Sequence, residues 1–572
     1  MYLPSRINAS TFVTSTLRPA LTPSLLLKTQ IVLPASTIAL MIFVCIYVTG
    51  SQAAPARSQD QTTPAPVVAR EDIPQALAAA IQEARLQAGD AAADDHFGLS
   101  VALSSDGNTA LVGALDDDNS GGANAGSAYV FTRSGTTWTQ QTRLQASDPS
   151  AEDHFGISVA LSADGNTALV GADSDDNVGV DAGSAYVFTR SGAIWTEQSR
   201  LQAGDAAEDD NFGNAVALSS DGSTALVGAL FDDHSGRNFA GSAYVFTRSG
   251  TTWAEQARLQ ASNHTNGAIF GVAVALSADG NTALVGAFFG DSSSGVGTGS
   301  AYVFIRSGAT WAEQARLESS DAANADRFGE AVVLSADGNT ALIGAPFDDN
   351  SGGTNAGSAY VFTRSGTAWS QQTKLIAGGA APGDQFGLAV ALGSDDGIAL
   401  IGAPSDDDSG TNAGSAYIFN RSGETWAEQG RLVSSDIAPA DFFGISVALS
   451  SDGNIALFGA SADDNSGGTN AGSAYTFFGL SPVEAGQLLI SEFRLRGPNG
   501  ANDEFVEIFN NTDAPITILA QDGSAGFALV ASDGVARCTI PNGTVIPTRG
   551  HYLCVNSVGY SLASYPAGNG TT

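Results

Sequence analysis

Positive charge is what this chain lacks most. It sets 24 Lys and Arg against 59 Asp and Glu, a formal net charge of −35, so it has no basic surface with which to neutralise a phosphate backbone or an anionic lipid sheet. Nucleic acid is thereby excluded as a general partner, and cations or basic molecules become the natural counterparts. Cysteine is nearly absent, at three. Cys45 lies in an apolar N-terminal segment, which leaves Cys538 and Cys554 as a candidate disulfide in an exported chain, with two buried free thiols as the alternative. A 3.6-residue apolar period is missing, which removes helical arrays. His96, His154, His234, His264 and His551 show no metal-ligand spacing, no Ser sits in a nucleophile elbow, and no Gly-rich loop opens a helix. Catalysis has little to stand on. The one route left to an enzyme is a carboxylate pair working as a glycosidase or lyase site on an extracellular polymer.

What the chain has instead is repetition. Phe97-Gly98, Phe155-Gly156, Phe212-Gly213, Phe270-Gly271, Phe328-Gly329, Phe386-Gly387 and Phe443-Gly444 recur at intervals of 57 or 58 residues, each followed by an apolar run, a tight turn and a Gly-Ala. A fixed period of this size marks an array whose units bury their faces against their neighbours. Each unit parses into four short strands. In the second copy these are Phe155 to Ser162, Thr167 to Ala172 after the Asp164-Gly165 turn, Ser184 to Thr189, and Trp195 to Leu201. Gly, Ala and Ser crowd the first two strands, and Tyr, Phe and Trp fill the last two, which suits a blade that widens from a central axis to a rim. Seven such units over residues 81–479 predict an all-β, seven-bladed β-propeller. The seventh copy lacks its Trp strand, but Ala84-Arg85-Leu86-Gln87-Ala88 repeats Ala257-Arg258-Leu259-Gln260-Ala261. The N-terminal segment is therefore expected to complete blade seven and close the ring.

The ends of the chain read differently. Ile31 to Thr49 is almost wholly apolar, follows Arg6, Arg18 and Lys28, and precedes Ser51-Gln52-Ala53. This predicts a signal peptide over residues 1–53 cut after Ala53, or else an uncleaved single-span membrane anchor. Either places the remainder outside the cytoplasm, secreted or on the cell surface. Residues 54–80, rich in Pro, Ala and Gln, read as a linker.

The Phe-Gly pairs followed by Gly-Ala-Pro, intact at Gly344-Ala345-Pro346 and Gly402-Ala403-Pro404, resemble the FG-GAP repeat of integrin α-subunit propellers and their bacterial relatives. That resemblance implies an extracellular propeller used for protein or matrix recognition and adhesion, often with calcium in blade loops. The family's Asp-rich calcium loop is reduced here to turns such as Ser162-Ala163-Asp164-Gly165-Asn166, and one carboxylate cannot assemble the roughly six to eight oxygens calcium takes. The site is not carried over. From Leu488, Ile490-Ser491-Glu492-Phe493, Asp503 to Ile508 and Asn510-Asn511 resemble the lamin-tail domain. This implies an immunoglobulin-like β-sandwich over 487–572, expected to be incomplete, with a generic small sandwich as the alternative.

Propeller topology puts the loops joining strands two and three on the same face as those joining successive blades. Both sets are acidic. The first holds Asp116, Asp117, Asp118, Asp175, Asp176, Asp348, Asp349, Asp406, Asp407, Asp463 and Asp464, which are the candidate oxygen ligands for calcium. The second holds Asp90, Asp148, Asp205, Asp321 and Asp436, among others, while Arg133, Arg190, Arg248, Arg306, Arg364 and Arg421 mark the opposite face. The competing reading is of solvated Asp-capped turns. His96 and His154 are expected to be solvated loop residues, and the Trp residues at 138, 195, 253, 311, 369 and 426 to pack at the rim between blades. The chain so read is a monomer that binds an extracellular protein or glycan.

Overall fold

The computed structural model describes residues 81–480 apart from 235, 264 and 291–296, together with backbone strands between 488 and 555. The described residues contain strands and turns but no helix. Strand β1 (Ile81–Leu86) comes first. Strands β2 (Val101–Leu103), β3 (Thr109–Ala114), β4 (Ser127–Ser134) and β5 (Thr137–Leu144) then pair antiparallel in chain order as blade one. Five more four-stranded sheets repeat this order. The seventh is Val447–Leu449, Ile455–Ala460 and Ser473–Phe478 with β1 added, Leu86 opposite Ala474 and Ile81 opposite Phe478. The first strand of the array thus completes its last blade, as the duplicated Ala-Arg-Leu-Gln-Ala segment predicts.

The local chemistry of each blade is legible in its turns. Between β2 and β3, Asp106 accepts from Ser104 Oγ at 2.6 Å, from the Asn108 amide at 2.9 Å and from Asn108 Nδ2 at 3.0 Å. Burial alone would raise this carboxyl, but these bonds outweigh it and hold it below its ordinary value. The single acid of the turn is consumed by the turn itself. The next strand is buried on both faces, which is why Thr-Ala-Leu-Val-Gly-Ala shows no polar alternation. Leu111 packs with Phe155, Val170 and Tyr186 of blade two, while Val112 packs with Phe97, Leu86 and Leu457 on the blade-seven side. The core is therefore a set of layers between neighbouring blades, and no blade has one of its own.

The inner strand begins at its Phe in blades three and four, at Phe212 and Phe270, but elsewhere the Phe-Gly pair departs from the expected strand. The sequence places the inner strand of blade two from Phe155, whereas the regular strand runs only over Val159–Leu161. Phe155 instead bridges parallel to Gly126 of blade one, its amide donating to Ala125 O at 3.2 Å. Gly156 allows this close approach, with a φ of +101° and a missing Cβ that would stand 2.4 Å from Ser127 O. The Phe155 ring, fully buried, meets Tyr186 and Phe188 edge-on at 5.5 and 6.0 Å. Each pair is a latch that ties its blade to the one before. Gly156→Ala is expected to cost at least about 1–3 kcal/mol from backbone strain alone. A lowered urea midpoint at unchanged slope would record it, and an unchanged midpoint would contradict the latch.

The inner turns also join blade to blade. Ser105 N donates to Ala163 O, Ala163 N to Ser220 O, Ser220 N to Ala278 O and Ala278 N to Ala336 O, each at 2.9 Å, and Ser451 N returns to Ser105 O at 2.9 Å. At the rim Trp195 Nε1 donates to Gln141 Oε1 at 2.8 Å, with the same bond from Trp253, Trp311, Trp369 and Trp426 to the preceding blade. The tryptophans are ties between outer strands, as expected.

Beyond residue 487 the backbone forms three small antiparallel sheets: Leu488–Arg494 with Phe505–Asn510 and His551–Val555, Ile516–Thr517 with Val545–Ile546, and Gly526–Val530 with Ala536–Pro541. Cys538 and Cys554 fall on strands of different sheets. Among the described residues no helix is long and apolar enough to cross a membrane. The apolar segment at 31–49, the cut after Ala53 and the linker at 54–80 lie outside the described residues.

Candidate functional site

The two acidic loop sets do meet on one face. Asp94 N donates to Thr469 O at 2.8 Å and Glu152 N to Ala123 O at 2.9 Å, so each inter-blade loop is tied to the strand-two-to-three loop of the blade before. The candidate carboxylates divide there into an inner and an outer group. Asp117, Asp175, Asp348, Asp406 and Asp463, with Asp232 alongside, are buried. Asp117 accepts from Ser127 Oγ at 2.5 Å and Tyr129 OH at 3.2 Å, and Asp348 from Ser358 Oγ at 2.6 Å and Tyr360 OH at 3.1 Å. Asp406 takes Ser415 Oγ at 2.5 Å and Tyr417 OH at 2.9 Å, and Asp175 takes Tyr186 OH at 2.5 Å. In blades one, five and six the Ser and Tyr of the Ser-Ala-Tyr motif thus face the acid of their own blade. Burial raises the Asp117 and Asp463 carboxyls, with these bonds and a neighbouring guanidinium pulling the other way.

That guanidinium comes from the outer strand. Arg143 Nη1 lies 2.5 Å from Asp90 and 3.5 Å from Asp117, and Lys374 Nζ lies 2.7 Å from Asp321 and 2.8 Å from Asp348. Arg258 bridges Asp205 and Asp232, and Arg85 on β1 bridges Asp436 and Asp463. Arg200 pairs with Asp148 at 2.6 Å, and Arg431 with Asp406 at 3.0 Å. In most blades a single basic side chain therefore sits between one carboxylate of each loop set.

The outer group is exposed but also engaged. Asp118, Asp176, Asp349, Asp407 and Asp464 each accept a backbone amide across their own loop, at 2.6–3.0 Å, from Asn124, Asp181, Asn355, Asn412 and Asn470 respectively. Asp116 pairs with His96 Nδ1 at 2.7 Å. These donors do not fit calcium as they stand. The inner oxygens already face hydroxyls and a cation, the outer ones hold their loops, and among the described residues no three His, Cys, Asp or Glu converge as metal ligands do.

Two clusters escape a reading based on what repeats, because they occupy positions where the repeats differ. His96 and His154, expected to be solvated, are half-buried and paired. His154 Nδ1 is 3.5 Å from Asp173, and its Nε2 is 3.9 Å from both Asp116 and Glu152. Burial would lower this imidazole, but the bond to Asp173 and the charges of Asp116 and Glu152 outweigh it and push it up to about 9. In blade five the equivalent residue is Arg327, whose guanidinium lies 4.1 Å from the Phe347 ring centroid and 5.4 Å from those of Phe288 and Phe289. Comparing the seven copies for what changes, at 96, 154, 211, 269, 327, 385 and 442, would have found both.

The geometry defines a closed seven-bladed propeller with one carboxylate-rich face. The FG-GAP repeat family matches residues 81–131, 138–188, 195–246, 253–304, 311–362, 369–419 and 426–477, more than half of the chain. The protein belongs to the FG-GAP repeat family. Each matched segment begins in a fourth strand and ends in the third strand of the next blade, so the sequence repeat is offset from the blade by one strand, the same offset that β1 closes. A search of curated proteins gave no match.

Proposed function

We propose that this is a recognition or adhesion protein acting outside the cytoplasm, secreted or held at the cell surface, with the acidic face as its binding face. The observation that carries the reading is the exposed outer row, Asp118, Asp176, Asp349, Asp407 and Asp464, set on rigid loops of a latched ring. Such a surface attracts a basic or polar partner, an extracellular protein or a glycan, by long-range charge and discriminates against anionic ones. No step of chemistry is assigned to it. The carboxylates recur in most blades, so no pair is set apart as acid and base. The lamin-tail-like segment is read as an accessory β-sandwich.

The reading is tested by passing the full chain over immobilised matrix proteins and glycans at low and high salt. Capture of a basic partner that weakens as salt rises is the expected result. Release of shortened polymer from a glycan would instead support a hydrolase or lyase, and capture indifferent to salt would move binding away from the acidic face.

A further inference from the structure

We propose that the basic side chain near the end of each outer strand serves as the built-in cation of this face, so that the inner loops are neutralised from within and hold their structure without calcium. Recurrence alone could be inherited packing. Three blades break the pattern: in blade two Arg200 reaches Asp148 while Tyr186 OH links that acid to Asp175, and the other two argue against inheritance alone. In blade four, Asn263 and Gly290 stand where Asp205 and Asp232 stand in blade three, so Arg316 meets neither of the usual acids. Glu318 supplies the carboxylate instead, 2.7 Å from Arg316 Nη2, at a position occupied by Gln in the three preceding copies. In blade six, Gly379 replaces the inter-blade Asp, and Asp408 takes its place 3.2 Å from Arg431 Nη1, where the loops of blades one, five and seven carry Asn119, Asn350 and Asn465. Blade six exchanges one carboxylate for another, and blade four, which loses two, gains one within reach of the same guanidinium. What is kept is at least one carboxylate partner for the basic group.

The physical reason is the environment of the inner acid. A buried carboxylate without a counter-charge is costly, and a tethered ammonium or guanidinium meets that need without the entropy loss of capturing a free ion. Lys374 shows the balance. Burial would lower its pKa, but its bonds to Asp321 and Asp348 hold it above the ordinary lysine value. The site is thus occupied by the chain itself, and it becomes a cation site when the tether is cut.

The test is thermal melting of the full chain in chelator and in millimolar calcium chloride. Wild type and Lys374→Arg should melt alike in both. Lys374→Gln should melt several degrees lower in chelator and recover part of that loss with calcium, by binding to the folded state. The double variant Asp348→Asn/Lys374→Gln should melt above Lys374→Gln in chelator and respond less to calcium. If Lys374→Gln does not fold in chelator, its soluble yield on refolding with and without calcium is read instead, and a higher yield with calcium is the expected result. A calcium-dependent shift in the wild type, or a Lys374→Gln protein indifferent to calcium, overturns the proposal. No partner is involved, so either result leaves the recognition reading untouched.

Discussion

Deleting residues 81–87 is expected to abolish the cooperative melt of the propeller. Those residues include the whole of β1, whose loss has three separate costs. Ser473–Phe478 becomes an open edge, with its main-chain groups unpaired and free to template aggregation. Leu86, 3% exposed and packed with Phe97, Val112, Tyr129 and Leu457, leaves a void between blades seven and one, and truncating such a side chain costs about 2–5 kcal/mol. Arg85 is lost as the partner of buried Asp463, and stranding a buried charge costs about 3–5 kcal/mol. Together these rival the whole stability of an ordinary domain, about 5–15 kcal/mol. Circular dichroism melts with size-exclusion profiles would record the loss. Leu86→Ala should keep a cooperative but lowered transition, and a deletion variant melting within a few degrees of wild type would mean that the ring does not depend on this strand.

Stability should fall as pH rises from about 4 to about 8, contrary to the habit of proteins stabilised by paired carboxylates. Asp95, Asp153, Asp326, Asp384 and Asp441 are pushed up to about 6, and Asp210 to about 7. The first cause is burial. The amide three residues earlier offsets part of it, and the neighbouring loop carboxylates add to it. An unfolded Asp titrates near 3.9. Between that value and about 7 the folded protein holds protons that the unfolded chain has released, so ionising these groups costs stability as pH rises through the window. Asp106, Asp164, Asp221, Asp279 and Asp337 are lowered by their turn bonds, and their contribution is lost only below the unfolded value. The optimum should therefore lie where the two sets meet, at about pH 4–5. Melting temperatures across this range would show it. Asp210→Asn keeps an acceptor for the Ala207 amide and removes the proton, so it should raise the melting temperature at neutral pH and flatten the slope. A profile that climbs steadily to neutrality would contradict the assignment.

The architecture was legible in the sequence because every unit restates it. The period, the Asp-Gly turns and the aromatic gradient fix four strands per blade, and the displaced Ala-Arg-Leu-Gln-Ala segment announces how the ring closes. The Phe-Gly latch was not legible as such. An apolar run beginning with Phe reads as strand, which it is in blades three and four, and only the parallel bridge of the Phe to the blade before, as in Phe155 to Gly126, shows the tie between blades. The site was half legible. Asp117 and Asp118 are neighbours of one type in one loop, yet Asp117 turns inward to Ser127, Tyr129 and Arg143, and Asp118 turns outward to cap its loop. Sequence spacing cannot say which of two adjacent acids meets the arginine of a strand some 25 residues later. The pairing His154–Asp173 was hidden for another reason, since Asp173 stands where the other copies carry Leu, Phe, Pro or Ser.

The most direct test of the account is the affinity of the full chain for a basic peptide, measured by calorimetry on two charge variants of the same protein. One carries Asn at Asp118, Asp176, Asp349, Asp407 and Asp464, and the other carries Gln at Arg133, Arg190, Arg248, Arg364 and Arg421. The account predicts weakened binding with a shallower salt dependence in the first variant, and wild-type or tighter binding in the second. Equal affinities in wild type and the first variant, or a loss confined to the second, would contradict it.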